Sequence, residues 1–192
     1  MRIHMQGMDL FDDLPRGPDG FSCQTDFISM AEEAALAVRF AELPFAPFLF
    51  RGVSARRRVL NYGRRYDGAS GRLTDAAPIP GWLEPVRARA AALAGLRPDE
   101  IVHVLINEYR PGAPIGWHRD RPMFDRIVGV SLLAPAVMRF RRRVASGFER
   151  MQAPLAPRSA YVLAGSARLD WEHSLPEAKA HRYSITFRSL RD

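Results

Sequence analysis

Lysine is nearly missing from this chain: Lys179 is the one lysine among 28 basic residues, and all the others are arginine. Cysteine is as scarce. Cys23 stands alone, which excludes an internal disulfide, and it reads as an inert core or loop thiol rather than a nucleophile. No run approaches the ~20 apolar residues of a membrane span, and Met1 to Gly20 lacks the apolar stretch of a secretion signal. The expectation is a cytoplasmic protein with no membrane partner. Acidic residues are outnumbered 21 to 28, leaving a net charge of +7. Such a surplus suits a polyanionic partner, although arginine beside much alanine, glycine and proline is also what a GC-rich genome writes.

What is present is the balance of a globular domain. Of the 192 residues, 47% are hydrophobic and 26% charged, enough for one sizeable core and too little for two ordinary domains. A monomer is expected. Residues 1–20 mix Asp, Pro and Gly and read as a flexible arm ahead of a single domain over 21–192. Ile28 to Leu43 has helical texture, with Asp26 as a candidate N-cap, early acids Glu32 and Glu33, and Pro44 at the end. Residues 45–80 read as loops and short strands. Gly81 to Leu93 suggests a second helix, with Pro85 in its first turn and Gly95 past its end. Beyond Pro98 the texture becomes short alternating runs broken by turns. Candidate strands are Ile101–Tyr109, Ile115–Arg119, Ile127–Leu133, Val137–Arg142, Ala160–Leu163, Ala167–His173 and Arg182–Arg188. Together they predict an α+β domain with a β core of sandwich or barrel form, supported by two N-terminal helices.

Three residues offer a metal site. His118 and Asp120 are two apart on a candidate strand, so they share a face with Cα atoms about 6.6 Å apart, while Arg119 points away. His173 closes an alternating run that can turn it inward. Two imidazoles and one carboxylate, with other positions open, are the ligand set of non-haem Fe(II) oxygenases. His4, His103 and His181 read as non-ligands. A second pattern sits at the C-terminus. Tyr183, Ile185 and Phe187 alternate with Arg182, Ser184, Thr186 and Arg188, and a polar strand face with two arginines is costly unless anions meet it. The two arginine side chains would leave a gap of about the length of a five-carbon diacid, and each fork can donate two parallel hydrogen bonds to a carboxylate. Asn107 and Tyr109, two apart on another strand, can hydrogen-bond the same ligand.

At these residues the sequence resembles the AlkB family of Fe(II)/2-oxoglutarate dioxygenases. The motifs fall in the family's order: Asn107 through Ala113, His118-Arg119-Asp120, Ser131-Leu132, Arg168 followed by His173, and Arg182 through Arg188. The resemblance implies a double-stranded β-helix (jelly-roll) barrel, with Fe(II) on His118, Asp120 and His173 and O2 as cosubstrate. It implies that Asn107, Tyr109, Arg182, Ser184 and Arg188 bind 2-oxoglutarate, Arg182 with Tyr109 at the distal carboxylate and Arg188 with Asn107 at the iron-chelating end. Val59 to Asp67 looks like the family's substrate-covering lid, which makes Tyr62, Arg64, Arg65 and Tyr66 substrate contacts. Trp82 and Trp117 are further aromatic candidates, with core packing the favoured role for both. Ser184 stands where the family commonly has Asn. Pro122 stands where DNA-repair members carry an acid that reads the base. The implied reaction is oxidative demethylation of N-alkylated bases in single-stranded or flipped DNA or RNA. Hydroxylation or demethylation of a protein or small molecule is the alternative, and a ligand-binding module without turnover is a third.

Overall fold

The computed structural model describes residues 17–50, 53–66 and 71–191. The polypeptide forms two facing antiparallel sheets, with helices on the outer face of the larger one. Twelve strands run in chain order: β1 (Phe21–Gln24), β2 (Ala46–Phe50), β3 (Val53–Tyr66), β4 (Leu73–Asp75), β5 (Ile101–Tyr109), β6 (Ile115–His118), β7 (Phe124–Leu132), β8 (Ala136–Val144), β9 (Gly147–Leu155), β10 (Ala160–Leu163), β11 (Glu172–Leu175) and β12 (Arg182–Leu190). The major sheet has the order β1-β10-β7-β12-β5-β3-β2, with β4 paired to β3, and the minor sheet has the order β6-β11-β8-β9. This is the jelly-roll arrangement that the sequence predicts.

Helix α1 spans Met30–Ala41 and α2 spans Glu84–Leu93. The N-cap of α1 is Ser29, not Asp26: Ser29 accepts from the Glu32 backbone N–H while the Glu32 carboxylate accepts from the Ser29 N–H, a reciprocal capping box. Asp26 instead adopts a left-handed backbone with φ of 49°. The helix also stops short of Pro44, with Glu42 as its C-cap. For α2, Pro85 lies in the first turn and Gly95 takes φ of 66° past the end, as its sequence suggests. Leu36 and Phe40 of α1 and Val86, Ala90 and Ala91 of α2 pack on Ile106, Val130, Ile185 and Phe187 of the major sheet. A second cluster, including Met138, Phe140, Leu155, Leu163 and Trp171, fills the space between the sheets.

Two sequence expectations change. Residues 45–80 hold a strand of 14 residues, β3, rather than only loops and short pieces. Five arginines interrupt its apolar positions, so composition hid it. The expected strand Ala167–His173 is a short helix α3 (Gly165–Leu169), a turn, and then β11. Ser166 bonds Asp170 at 2.8 Å four residues on, and Arg168 is buried with its guanidinium on the carbonyls of Arg121 and Phe124. That anchor turns the chain so that His173 still faces inward. Of the expected arm, residues 1–16 lie outside the described residues, while Asp19 and Gly20 bond their carbonyls to Ala167 and Ala164.

Candidate active site

The site lies between the sheets, and strand alternation builds it. In β12, Tyr183, Ile185 and Phe187 belong to the helix-side cluster. Arg182, Ser184, Thr186 and Arg188 therefore face the minor sheet, all of them buried. Strand β5 pairs with β12 so that Tyr109 opposes Arg182 and Asn107 opposes Ser184. From the minor sheet, β6 and β11 bring His118 and His173 directly opposite each other.

His118, Asp120 and His173 each offer one ligand atom, and these atoms lie within 4.8 Å of one another. His118 Nδ1 sits 2.9 Å from the Gly116 carbonyl. A carbonyl only accepts, so Nδ1 carries the proton and Nε2 presents a lone pair. His173 Nε2 is 3.4 Å from Asp120 Oδ2. Burial, with His173 nearby, depresses the His118 pKa to about 4, so the ring is neutral at physiological pH. Burial alone would raise the Asp120 carboxyl, but the Arg188 guanidinium, helped by both histidines, outweighs it and holds the carboxyl well below its usual range. Two imidazoles and one carboxylate fit a divalent cation that prefers mixed nitrogen and oxygen ligands.

Beside the triad is an anion clamp with open valences. Arg188 donates to Asp120 Oδ1 from Nη2 at 2.7 Å and from Nε at 3.1 Å. Arg182 is 2% exposed and donates from Nη2 to Ser131 Oγ at 2.9 Å. Its Nε and Nη1 have no partner among the described residues, and neither has Asn107 Oδ1. Arg182 also lies over the Tyr109 ring, 4.8 Å from the centroid. Ser184 Oγ gathers Tyr109 at 3.2 Å and Asn107 at 3.4 Å. A buried guanidinium without a counter-ion is costly, so this arrangement suits a carboxylate ligand.

Four side chains complete the site that the sequence alone did not single out. His103 Nδ1 lies 3.2 Å from Arg188 Nη1, and its Nε2 lies 3.0 Å from Asn61 Oδ1. Arginine can only donate, so Nδ1 accepts and Nε2–H donates to Asn61. The relay Asn61–His103–Arg188–Asp120 thus fixes one tautomer and aims Arg188 at the carboxylate. Burial, then the Arg188 charge, depresses the His103 pKa to about 3. Tyr161 is the third, its phenol pushed up by burial and by the nearby Asp120 carboxylate. Arg57 is the fourth: it is buried under Phe48, whose ring is 4.0 Å from its guanidinium, and lies near the charges of Arg188 and Asp120. None lies in a recognisable motif. The readable signal is alternation along β3, where Arg57 and Asn61 share a face.

The expected substrate contacts all lie on β3. Tyr62 packs on the helix-side cluster, with its ring 6.4 Å from that of Trp82. Arg64 pairs with Asp75 at 2.8 Å, Arg65 is exposed, and the side chain of Tyr66 lies outside the described residues. Arg58 is also committed, to Glu108 at 2.8 Å. His181 meets Glu108 at 3.3 Å, Cys23 is exposed, and His4 lies outside the described residues. Trp82 is a packing residue as expected, whereas Trp117 lies beneath Arg139 and Arg141 on the outer face of the minor sheet.

The model of the family described as the 2OG-Fe(II) oxygenase superfamily matches residues 49–188. The chain belongs to that superfamily. Among curated proteins it is 27% identical over 191 residues to the uncharacterized protein L905 of Acanthamoeba polyphaga mimivirus, covering 90% of this chain and 85% of the relative. It is 26% identical to the alkylated DNA repair protein ALKBH8 homolog of Arabidopsis thaliana, over 87% of this chain and 57% of that one. It is 30% identical to the probable RNA/DNA demethylase ALKBH6 of Danio rerio, over 72% of this chain and 56% of that one. The chain thus spans little more than half the length of the plant and zebrafish relatives. Among solved structures, OsALKBH1 superposes with a TM-score of 0.73 at 15% identity, covering 92% of this chain and 99% of that one. A Pseudomonas putida prolyl-4-hydroxylase superposes at 0.61 and 18% identity, covering 90% and 93%. The chain is a 2-oxoglutarate-dependent dioxygenase similar in sequence to AlkB homologues, with Fe(II) and 2-oxoglutarate as its cofactors. Among the described residues no helix is long and apolar enough to cross a membrane.

Proposed function

We propose that this dioxygenase removes N-alkyl groups from bases of single-stranded or flipped nucleic acid, with His118, Asp120 and His173 as its iron ligands. The observation that carries the site assignment is Arg182, a buried guanidinium with two unpartnered nitrogens and no carboxylate beside it among the described residues. The distal carboxylate of 2-oxoglutarate supplies the missing counter-ion, seated on Arg182 and the Tyr109 phenol. Asn107 and Arg188 then serve the end of the cosubstrate nearer the metal, with Ser184 bridging Asn107 and Tyr109. When bound, Fe(II) supplies O2 activation coupled to oxidative decarboxylation of 2-oxoglutarate to succinate and CO2. The protein's own part is to hold the metal ligands together and to orient the cosubstrate between its two sheets. Hydroxylation of an N-methyl carbon leaves a product that releases formaldehyde and the free amine.

The printed names of the plant and zebrafish relatives support nucleic acid as the substrate. A protein or small-molecule substrate is the second reading. It is favoured by Tyr62, which packs on the helix-side cluster rather than offering a free ring to a base, and by Pro122. The test supplies methylated DNA and RNA oligonucleotides and follows succinate and formaldehyde together, with mass spectrometry of the digested nucleosides. Formaldehyde and unmethylated base in equal amounts support demethylation. Slow succinate formation indifferent to every methylated base would transfer the activity to another substrate class.

A further inference from the structure

The arginines of this chain gather in two places, along β3 and on β8 and β9. Around β3, Arg58 and Arg64 are held by Glu108 and Asp75, Arg57 is turned inward, and Arg65 is exposed. A second group of exposed cations lies on the outer face of the minor sheet. Strand β8 alternates Met138 and Phe140, both buried in the core, with Arg139, Arg141 and Arg143 on the opposite face. Strand β9 places Arg150 opposite Arg141 and Phe148 opposite Arg143. Arg141 is held by Glu172 at 2.6 Å. Arg139, Arg143 and Arg150 are exposed and meet no carboxylate among the described residues.

Aromatic rings are interleaved with these cations. Trp117 lies under Arg139 and Arg141, at 5.4 and 4.5 Å from its centroid, and Phe148 lies under Arg141, Arg143 and Arg150, at 4.8, 5.6 and 5.5 Å. Alternate residues of a strand are about 6.7 Å apart, a spacing like that of successive phosphates in an extended single strand. The row leads to the metal: Trp117 adjoins His118, and Arg119, between His118 and Asp120, is exposed and bonded to the Leu169 carbonyl at 3.2 Å. Four arginines, Arg119 and Arg141 to Arg143, line one hollow of about 560 Å³ with Phe148 and the acids Asp170 and Glu172, the latter held by Arg141.

We propose that the outer face of the minor sheet is a docking surface for the phosphodiester backbone of single-stranded nucleic acid, with Arg139, Arg143 and Arg150 on phosphates and Phe148 under a base. This rests on the nucleic-acid reading above and locates its contacts away from the lid. Guanidinium forks pair with phosphate in two bonds, and flat rings accept a base in any sequence. An acidic peptide would use the cations but leave Phe148 idle.

The test measures binding of fluorescein-labelled oligothymidylate and oligouridylate to the full iron- and 2-oxoglutarate-loaded protein by anisotropy at several salt concentrations. Arg139→Ala with Arg143→Ala should flatten the slope of log K against log salt by about 1.4, at about 0.7 for each lost phosphate contact. Arg139→Lys with Arg143→Lys should keep most of the slope, which guards against a folding defect in the alanine pair. Phe148→Ala should weaken binding about equally at every salt, on the order of tenfold for one stacked base. Wild-type slope in the alanine pair would overturn the surface. So would a Phe148→Ala protein that binds oligonucleotide as wild type while the alanine pair loses a polyglutamate peptide as readily as oligonucleotide. Loss of slope in the alanine pair, with no methylated base consumed by wild type, would keep the surface and reject the demethylase reading.

Discussion

Strands β12 and β8 both carry arginine at alternate positions, and the two sets live in opposite worlds. Arg182 and Arg188 lie between the sheets at 2% and 8% exposure, whereas Arg139 and Arg143 stand in solvent. Inside, a guanidinium loses its hydration and must find an anion. Outside, its charge costs little and contributes little to the fold. The same residue type at the same spacing is therefore a ligand site in one strand and a soluble face in the other, and only the facing sheet decides which.

The comparison breaks most severely at Asp120. Asp120→Ala should abolish succinate formation and also destabilise the protein by about 3–5 kcal/mol, because Arg188 is left as an uncompensated buried charge. Urea unfolding and iron-dependent turnover check both. Asp120→Asn, which keeps an acceptor for Arg188, should lose activity with a smaller stability loss. Full turnover in either variant would remove Asp120 from the metal site. His118→Ala should abolish turnover as well, with less effect on folding, since no buried charge depends on it.

Arg182 gives the next largest effect, of opposite sign for stability and function. Arg182→Lys should raise the 2-oxoglutarate KM on the order of tenfold, since the fork is lost. Arg182→Met should lose cosubstrate binding yet raise the melting temperature of the ligand-free protein, because a buried unpaired charge has gone. A melting temperature that falls would show that Arg182 is already neutralised within the protein.

His103 sharpens the comparison through pH. Its pKa in the folded protein, about 3, lies below the ordinary value of 6.5. The unfolded chain therefore binds the proton first, and stability falls as pH drops below about 6.5 and continues to fall toward 3. His103→Gln cannot titrate, so its unfolding free energy should decline less than that of wild type between pH 7 and 4. Parallel declines would mean that His103 is protonated in the fold, against the tautomer assigned from Arg188. The smallest effect is expected outside: Arg139→Ala and Arg143→Ala should each change stability by less than about 0.5 kcal/mol.

Sequence reading succeeded where a pattern is short and local. The period-two alternation of β12 located both arginines, and spacing alone located the His118–Asp120 pair, although β6 ends at His118 and Asp120 lies past it. Pro85 and Gly95 bracketed α2. It went astray where two local signals competed, and where partners are distant in the chain. Ser29 became the cap because Glu32 answers it, a choice that Asp26 had no means to announce. Strand β3 was hidden because its arginines broke the apolar pattern, and Arg57, Arg58 and Arg64 each find a different fixed place: a buried ring contact, a carboxylate on β5 and a carboxylate on β4. His103 was dismissed as a non-ligand, which fits its contacts, but its hold on Arg188 comes from a residue 85 positions away.

Tyr161 and Gly129 face each other across the β10–β7 ladder, and a Cβ on Gly129 would lie 2.2 Å from the tyrosine ring. The pair can change only in one order. Position 161 must shrink before position 129 can grow, because any side chain at 129 meets the ring first. An alanine introduced at 129 in this background should be rescued by Tyr161→Leu and by little else. Relatives that carry a larger residue at the position of Gly129 are then expected to have given up the tyrosine, so the floor of the cavity diverges by coupled steps while the metal ligands beside it stay free to remain unchanged.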